Sequence, residues 1–121
     1  MSLSLRCAVA VLTGPASSIG AALALGLAAE GADLALIDRE AAALAIAADM
    51  AHRQRLRVSA HSSDLAGAES VAALPTAVGA VHQRASLAIN NAGAALLGQF
   101  EQITPADFAS VFDVNFWAAC G

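Results

Sequence analysis

Four short strand-like runs, three apolar and one alternating, each closed by a polar or glycine-bearing turn and each followed by a stretch of helical pattern, constrain this chain more than any other feature of it. Cys7-Ala-Val-Ala-Val-Leu12 is apolar throughout, as expected of a parallel strand buried on both faces. It ends in Thr13-Gly14-Pro15. Ser17 or Ser18 can then cap a helix running to about Ala29, with Gly31 ending it. That helix is apolar nearly all round, which predicts cover on more than one side. Leu34–Ile37 is a second buried strand, stopped by Asp38-Arg39, and Glu40 to about Gln54 reads as the second helix. Arg55–Ala60 alternates, with Arg55, Arg57 and Ser59 facing one way and Leu56, Val58 and Ala60 the other. That is the pattern of a half-exposed edge strand. Gly67 to about Val81 is a third helical stretch, which Pro75 should kink or split. Ser86–Ile89 reads as a fourth strand, again apolar, ended by Asn90-Asn91-Ala92-Gly93 and a loop to about Ile103. Thr104 then opens a last helix as its N-cap, with Pro105 at the first helical position and Asp107 completing a capping box. Its apolar face carries Phe108, Val111, Phe112, Phe116 and Ala119, and Asn115 falls on the same face.

Strand and helix alternating four times predict a doubly wound, Rossmann-like α/β layout with a parallel sheet. Right-handed crossovers give the strand order 3-2-1-4. The direction of winding reverses between strands 1 and 4, and ligands bind such folds at that point, beyond the carboxyl ends of the strands. The loops there begin at Thr13-Gly14 and Asn90-Asn91.

Composition narrows the function. A length of 121 residues suits one domain, 1–121, and 58% hydrophobic residues exclude a disordered chain. A net charge of −4 argues against nucleic acid and against an anionic membrane surface. The longest apolar run, Ile19–Ala29, is too short to span a bilayer, and Met1–Arg6 does not read as a secretory leader. Cys7 and Cys120 form no C-x-x-C and no zinc-spaced cluster, so no metal site is expected. Cys7 reads as a small core residue, and this cysteine usage fits a reducing cytoplasm. There is no tyrosine. All six basic residues are arginines: Arg6, Arg39, Arg53, Arg55, Arg57 and Arg84. No mechanism that needs a phenol or an ε-amine can run on this chain alone.

Five places can carry chemistry. Thr13-Gly14-Pro15-Ala16-Ser17-Ser18-Ile19-Gly20 joins a buried strand to a helix. A glycine at the turn lets the backbone approach a phosphate, and free N–H groups at the helix start favour its charge. A strand-to-helix turn that binds nothing has the same letters. No Gly-Lys-Ser/Thr follows, which excludes a nucleoside-triphosphate loop. Asp38 can accept hydrogen bonds from an adenosine ribose and repel a 2′-phosphate, predicting NAD over NADP. Arg39 could instead pair with that phosphate or stack on adenine, and a solvated Asp-Arg loop is the plain alternative. Asp64 and Asn90-Asn91-Ala92-Gly93 suit a site and suit ordinary turns. Asn115, an amide on an apolar helix face, needs partners. A bond to a neighbouring loop and a place in the crevice both provide them.

Taken together, Thr-Gly-x-x-x-Ser-Ile-Gly, Asp38, Ser63-Asp64-Leu65, Asn-Asn-Ala-Gly and Val114-Asn115-Phe116 resemble the short-chain dehydrogenase/reductase family over nearly the whole chain. The resemblance implies the N-terminal, cofactor-binding part of an NAD(P)-dependent oxidoreductase. In it Gly14, Ser17, Ser18, Ile19 and Gly20 form the pyrophosphate loop, and Asp38 and Arg39 lie by the adenosine ribose. Asp64 and Leu65 approach adenine, and Asn91, Ala92 and Gly93 line the ribose on the nicotinamide side. Asn115 matches the family's catalytic asparagine, which holds a proton-relay water. Ser18 stands where the family usually has a second loop glycine. The family's catalytic serine and Tyr-x-x-x-Lys have no counterpart in this chain.

The resemblance therefore implies hydride transfer between nicotinamide and an alcohol or ketone in a complete enzyme, with no turnover by this chain alone. The alternatives are a non-catalytic module that binds a dinucleotide or a partner, associating through an unpaired edge at strand 4, and a truncated product without function. His52, His61 and His82 fall in no site motif and read as surface or helix histidines.

Overall fold

The computed structural model describes residues 4–52 and 55–120. Four parallel strands form one sheet in the order β3-β2-β1-β4: β1 Val9–Thr13, β2 Asp33–Asp38, β3 Val58–Ser62 and β4 Leu87–Ile89. The connecting helices are α1 Ser18–Ala29, α2 Ala41–His52 and α3 Ala68–His82. After β4 comes a single 3-10 turn, Phe100–Gln102, then α4, Pro105–Phe112. This helix widens into a π-helical turn at Asp113–Trp117 and closes as α5, Ala118–Cys120. The doubly wound topology and the strand order are as the sequence predicts.

The pleat sorts the strand residues by face. Ala10, Leu12, Leu34 and Leu36 meet Ala24, Leu27 and Ala28 of α1 and Leu44 of α2, making the core. Val11, Thr13, Ile37 and Ala88 turn to the opposite face, where they line a groove of about 440 Å³ with α3 and α5. Leu12, Leu34 and Leu36 are wholly buried, and each such burial stabilises the fold by about 1.5–3 kcal/mol.

The caps follow the sequence closely. Ser17, rather than Ser18, caps α1, its Oγ accepting from Gly20 N at 2.9 Å. Gly31 takes the left-handed conformation beyond it, at φ 86°. Thr104 and Asp107 form the reciprocal capping box of α4. Those hydrogen bonds hold the Asp107 carboxyl below its usual range, the Thr104 backbone first and its side chain second.

Several expectations need correction. Cys7 is exposed rather than in the core, and it stands at φ 64° in a turn ahead of β1. Its N–H bonds Gly31 O at 3.1 Å, and Ala8 N bonds back to Leu5 O, so the strand begins only at Val9. α1 is covered on one side alone among the described residues: Gly20, Ala24, Leu27 and Ala28 are buried, while Ile19 and Leu25 are exposed. Of the kink or split expected at Pro75, the split does not occur: α3 runs unbroken from Ala68 to His82. The proline is exposed at the open groove between α3 and the sheet, and the Val71 carbonyl it leaves without an N–H partner can turn to water there. β3 is the edge strand expected, but its alternation fails toward its end. Ala60 is exposed and Ser59 half-buried, because Ser59 bonds to two histidines. His82 is therefore a buried helix residue and His61 a half-buried strand residue, whereas His52 is exposed. Gln54, the expected end of the second helix, lies outside the described residues, as do Met1, Arg53 and Gly121.

Candidate functional site

The carboxyl ends of the strands open onto one cleft of about 680 Å³. Of the candidate cofactor residues, Gly14, Ser17, Ser18 and Ile19 line it from the β1–α1 loop, and Asp38 and Arg39 from the end of β2. Asp64 and Leu65 line it after β3, and Asn91, Ala92 and Gly93 after β4. Positions far apart in sequence thus converge where the winding reverses. Gly20 and Asn115 are the two candidates outside the lining. Ser63, Ala66, Ala94, Ser110 and Val114 also line the cleft, although the sequence reading did not single them out as site residues. Ser110 and Val114 were legible in principle, since residues four apart on a helix share a face.

The β1–α1 loop is shaped by close approach. Gly14 holds φ 71°, and a Cβ there would stand 2.9 Å from Ala92 Cα. A Cβ on Gly20 would overlap the Gly14 carbonyl oxygen and lie 2.8 Å from Asn91 Nδ2. Gly20 thus packs the loop from behind and does not face the cleft. Together the two glycines let the loop close on the start of α1 and on Asn91 and Ala92, and the backbone so held, with Gly14, Ser17, Ser18 and Ile19, forms a cradle on the cleft wall.

The cradle is tied to the β4 loop. Asn91 N and Ala92 N donate to Thr13 Oγ1 at 3.1 and 3.0 Å. Asn91 Nδ2 donates toward Gly14 O at 3.0 Å, Thr13 O at 3.2 Å and Ser17 Oγ at 3.2 Å. The Asn91 amide is therefore spent on holding two loops together, and Thr13, named only as part of the motif, supplies the matching hydroxyl.

Asp38 faces the same loop. Its carboxylate accepts Ala16 N and Glu40 N, each at 3.2 Å. Asp64 makes an Asx turn, accepting Ala66 N at 3.0 Å. Ser63 is held by its backbone, Ser63 N donating to Asp38 O at 2.9 Å. Its buried hydroxyl has no hydrogen-bond partner among the described residues.

Asn115 lies in the π-helical turn, where Ala118 N reaches back to Asp113 O. Its amide accepts Ala94 N at 2.7 Å and donates to Ala94 O at 2.8 Å. It lines a small adjoining cavity of about 40 Å³ that shares Leu65, Ala92 and Val114 with the main cleft. Of the two accounts open for Asn115, the structure displays the loop bond. The asparagine fastens α4 to the segment leaving β4 and sits beside the cleft. No group of three His, Cys, Asp or Glu able to hold a metal occurs among the described residues, and no helix among them is long and apolar enough to cross a membrane.

Comparison with known proteins places this architecture. A family model described as short chain dehydrogenase matches residues 8–120. The chain is 38% identical over 113 residues to D-threitol dehydrogenase of Mycolicibacterium smegmatis, covering 88% of this chain and 41% of that protein. A Burkholderia phymatum short chain dehydrogenase/reductase in complex with NAD superposes with a TM-score of 0.91 at 30% identity, over 98% of this chain and 42% of that one. A metagenomic short-chain oxidoreductase in complex with NADP gives a TM-score of 0.88 at 32% identity, over 96% and 53%. The chain spans 40% to 44% of the length of the curated relatives it matches. With the cleft at the reversal point, the two loop glycines and the family match running from one end of the sheet to α5, this chain belongs to the short-chain dehydrogenase/reductase family.

Proposed function

We propose that this chain is the cofactor-binding N-terminal part of an NAD-dependent oxidoreductase acting on an alcohol or ketone. The convergence of four loops on one cleft, with a backbone cradle at the start of α1, carries the reading. A dinucleotide fits the residues present: the cradle would take its pyrophosphate, with Ser17, Ser18 and Ile19 at the helix start. Bound nicotinamide supplies a hydride donor or acceptor. The chain's own residues bind and orient. Ser18 offers a hydroxyl donor toward the pyrophosphate. Asp38 accepts hydroxyl groups of the adenosine ribose, Asp64 and Leu65 border adenine, and Asn91, Ala92 and Gly93 border the second ribose. Asn115, through Ala94, sets the position of the segment leaving β4 and holds a water at the reacting end. With no tyrosine and no lysine, the 121 residues bind dinucleotide without turning over an alcohol. A cytoplasmic setting accords with the two free thiols.

Asp38 decides the choice of dinucleotide. A 2′-phosphate placed beside its carboxylate is repelled, whereas two ribose hydroxyls are accepted. Titration calorimetry tests this: NAD binds more tightly than NADP, and Asp38→Ala narrows or reverses the preference, leaving Arg39 beside the phosphate. Equal affinities in the unaltered protein would remove the assignment to NAD.

A second reading, a non-catalytic module that pairs with another chain, draws on the surface. β4 lies at an edge of the sheet, and Phe108, Phe112, Phe116 and Trp117 on the last helix are 46% to 60% exposed. Self-association through this edge and face predicts a concentration-dependent sedimentation coefficient. A monomer at every concentration would count against it.

A further inference from the structure

We propose that Ser59, His61 and His82 form an acid-sensitive clasp that pins α3 to β3 and so fixes the β3–α3 wall of the cleft. Ser59 and His61 share one face of the edge strand, two residues apart, and His82 is the last residue of α3. Ser59 Oγ lies 2.8 Å from His61 Nε2 and 2.8 Å from His82 Nε2. His82 is only 5% exposed, and its Nδ1 is buried.

A hydroxyl has one hydrogen. With both rings neutral, it donates to one Nε2 and accepts from the Nε2–H of the other. A first proton is held without rearrangement on half-buried His61, whose Nε2–H stays on Ser59. A second proton, on His82, breaks the arrangement. Both Nε2–H groups then point at one oxygen, the hydroxyl hydrogen loses its acceptor, and two cations share one small group, one of them buried.

The surroundings of His82 lean the same way. Burial is the largest influence and lowers its proton affinity, and Arg57 ahead of β3 and His61 lower it further. Asp33 at the start of β2 and the Leu34 backbone raise it. Burial also lowers His61. Both rings therefore titrate below 6.5. The unfolded chain takes up protons at higher pH than the folded one, so the stability the clasp provides is full above pH 6.5 and lost as pH falls below it.

The clasp closes the far end of a unit whose near end is the cleft. Between β3 and α3 runs the loop carrying Ser63, Asp64, Leu65 and Ala66. Ser63 N to Asp38 O and Ser62 Oγ to Arg39 O, at 2.9 and 3.4 Å, bind that end to β2. Opening the clasp frees α3 to shift against β3 and loosens this wall. The consequence for ligand affinity rests on the dinucleotide reading; the consequence for stability does not.

The experiment measures urea unfolding of the protein and of His61→Gln and His82→Gln at about pH 8 and about pH 5.5, with NAD titrations in the same buffers. Glutamine can still exchange a hydrogen bond with Ser59 but does not titrate. The unaltered protein is expected to lose urea midpoint and NAD affinity on acidification, and either substitution to flatten both losses. Equal acid losses in all three proteins would overturn the clasp. If the variants fail to fold, the imidazole proton resonances of the unaltered protein decide. Two coupled titrations below 6.5 support the clasp, and two independent ones at the free-histidine value overturn it. An acid-sensitive midpoint removed by either substitution, with no NAD binding at any pH, would uphold the clasp and overturn the dinucleotide reading alone.

Discussion

Gly14 bears the tightest constraint in the cleft, because it combines φ 71° with backbone contact across to Ala92. Gly14→Ala forces a Cβ into both at once. It should cost about 1–3 kcal/mol of stability, read as a lower urea midpoint, and weaken NAD binding because the loop must shift away from Ala92. The two hydrogens of Asn91 Nδ2 are shared among three acceptors within 3.2 Å. Asn91→Ala removes the donor that joins the Thr13 and Gly14 carbonyls and the Ser17 hydroxyl to the β4 loop and should cost about 1–3 kcal/mol. Asn91→Asp, which turns a carboxylate toward those same carbonyl oxygens, should cost more in the same assay. The sequence announced both residues, since glycine and asparagine in turns carry a local signal. It did not announce what Asn91 bonds to, nor that Thr13 holds the opposite side, because a partner 78 residues away leaves no trace in spacing. Ser59 and His82 escaped for a similar reason: neither sits in a motif, and only the packing of α3 on β3 brings them together.

At the scale of elements, α3 carries an avoidable defect. Pro75 denies Val71 its helical partner, so Pro75→Ala should raise the thermal midpoint, by up to about 3 kcal/mol in stability if the restored bond forms fully. A fall in midpoint would mean that the proline ring is needed in the groove it lines with Leu74 and Val78. α4 has the opposite character, a helix whose start is fixed by Thr104 and Asp107. The Asp107 carboxyl titrates below 3.8 in the fold. Its contribution is therefore complete above that value and disappears as pH falls beneath it. Thr104→Ala should lower helicity at neutral pH and reduce this acid dependence, followed by circular dichroism. Boundaries and caps of this kind were legible because they rest on contacts within a few residues. The start of β1 was not: Cys7 continues the apolar run, but its N–H goes to Gly31, a choice made by the chain's return after α1. Nor was the single-sided cover of α1 legible, since an all-apolar helix states how much surface it could bury and not how much it meets.

For the molecule as a whole, period and punctuation sufficed to give the order β3-β2-β1-β4, because handedness leaves few ways to connect parallel strands. The cleft followed from that order rather than from any one motif. The central strand, β1, is flanked by β2 and β4, and the β1–α1 loop is fastened by Thr13 and Asn91 across 78 residues. The earliest part of the chain thus waits for the latest part of the sheet. On a ribosome, β1, α1 and β2 emerge and can pair long before the Asn-Asn-Ala-Gly turn is made. During that interval the glycine loop is held by Asp38, Ile37 and the Ser17 cap alone, without Asn91 and Ala92. If the cleft takes the proposed dinucleotide, protection of the nascent chain by that ligand should become full only after residues 91 and 92 have left the exit tunnel and closed the loop.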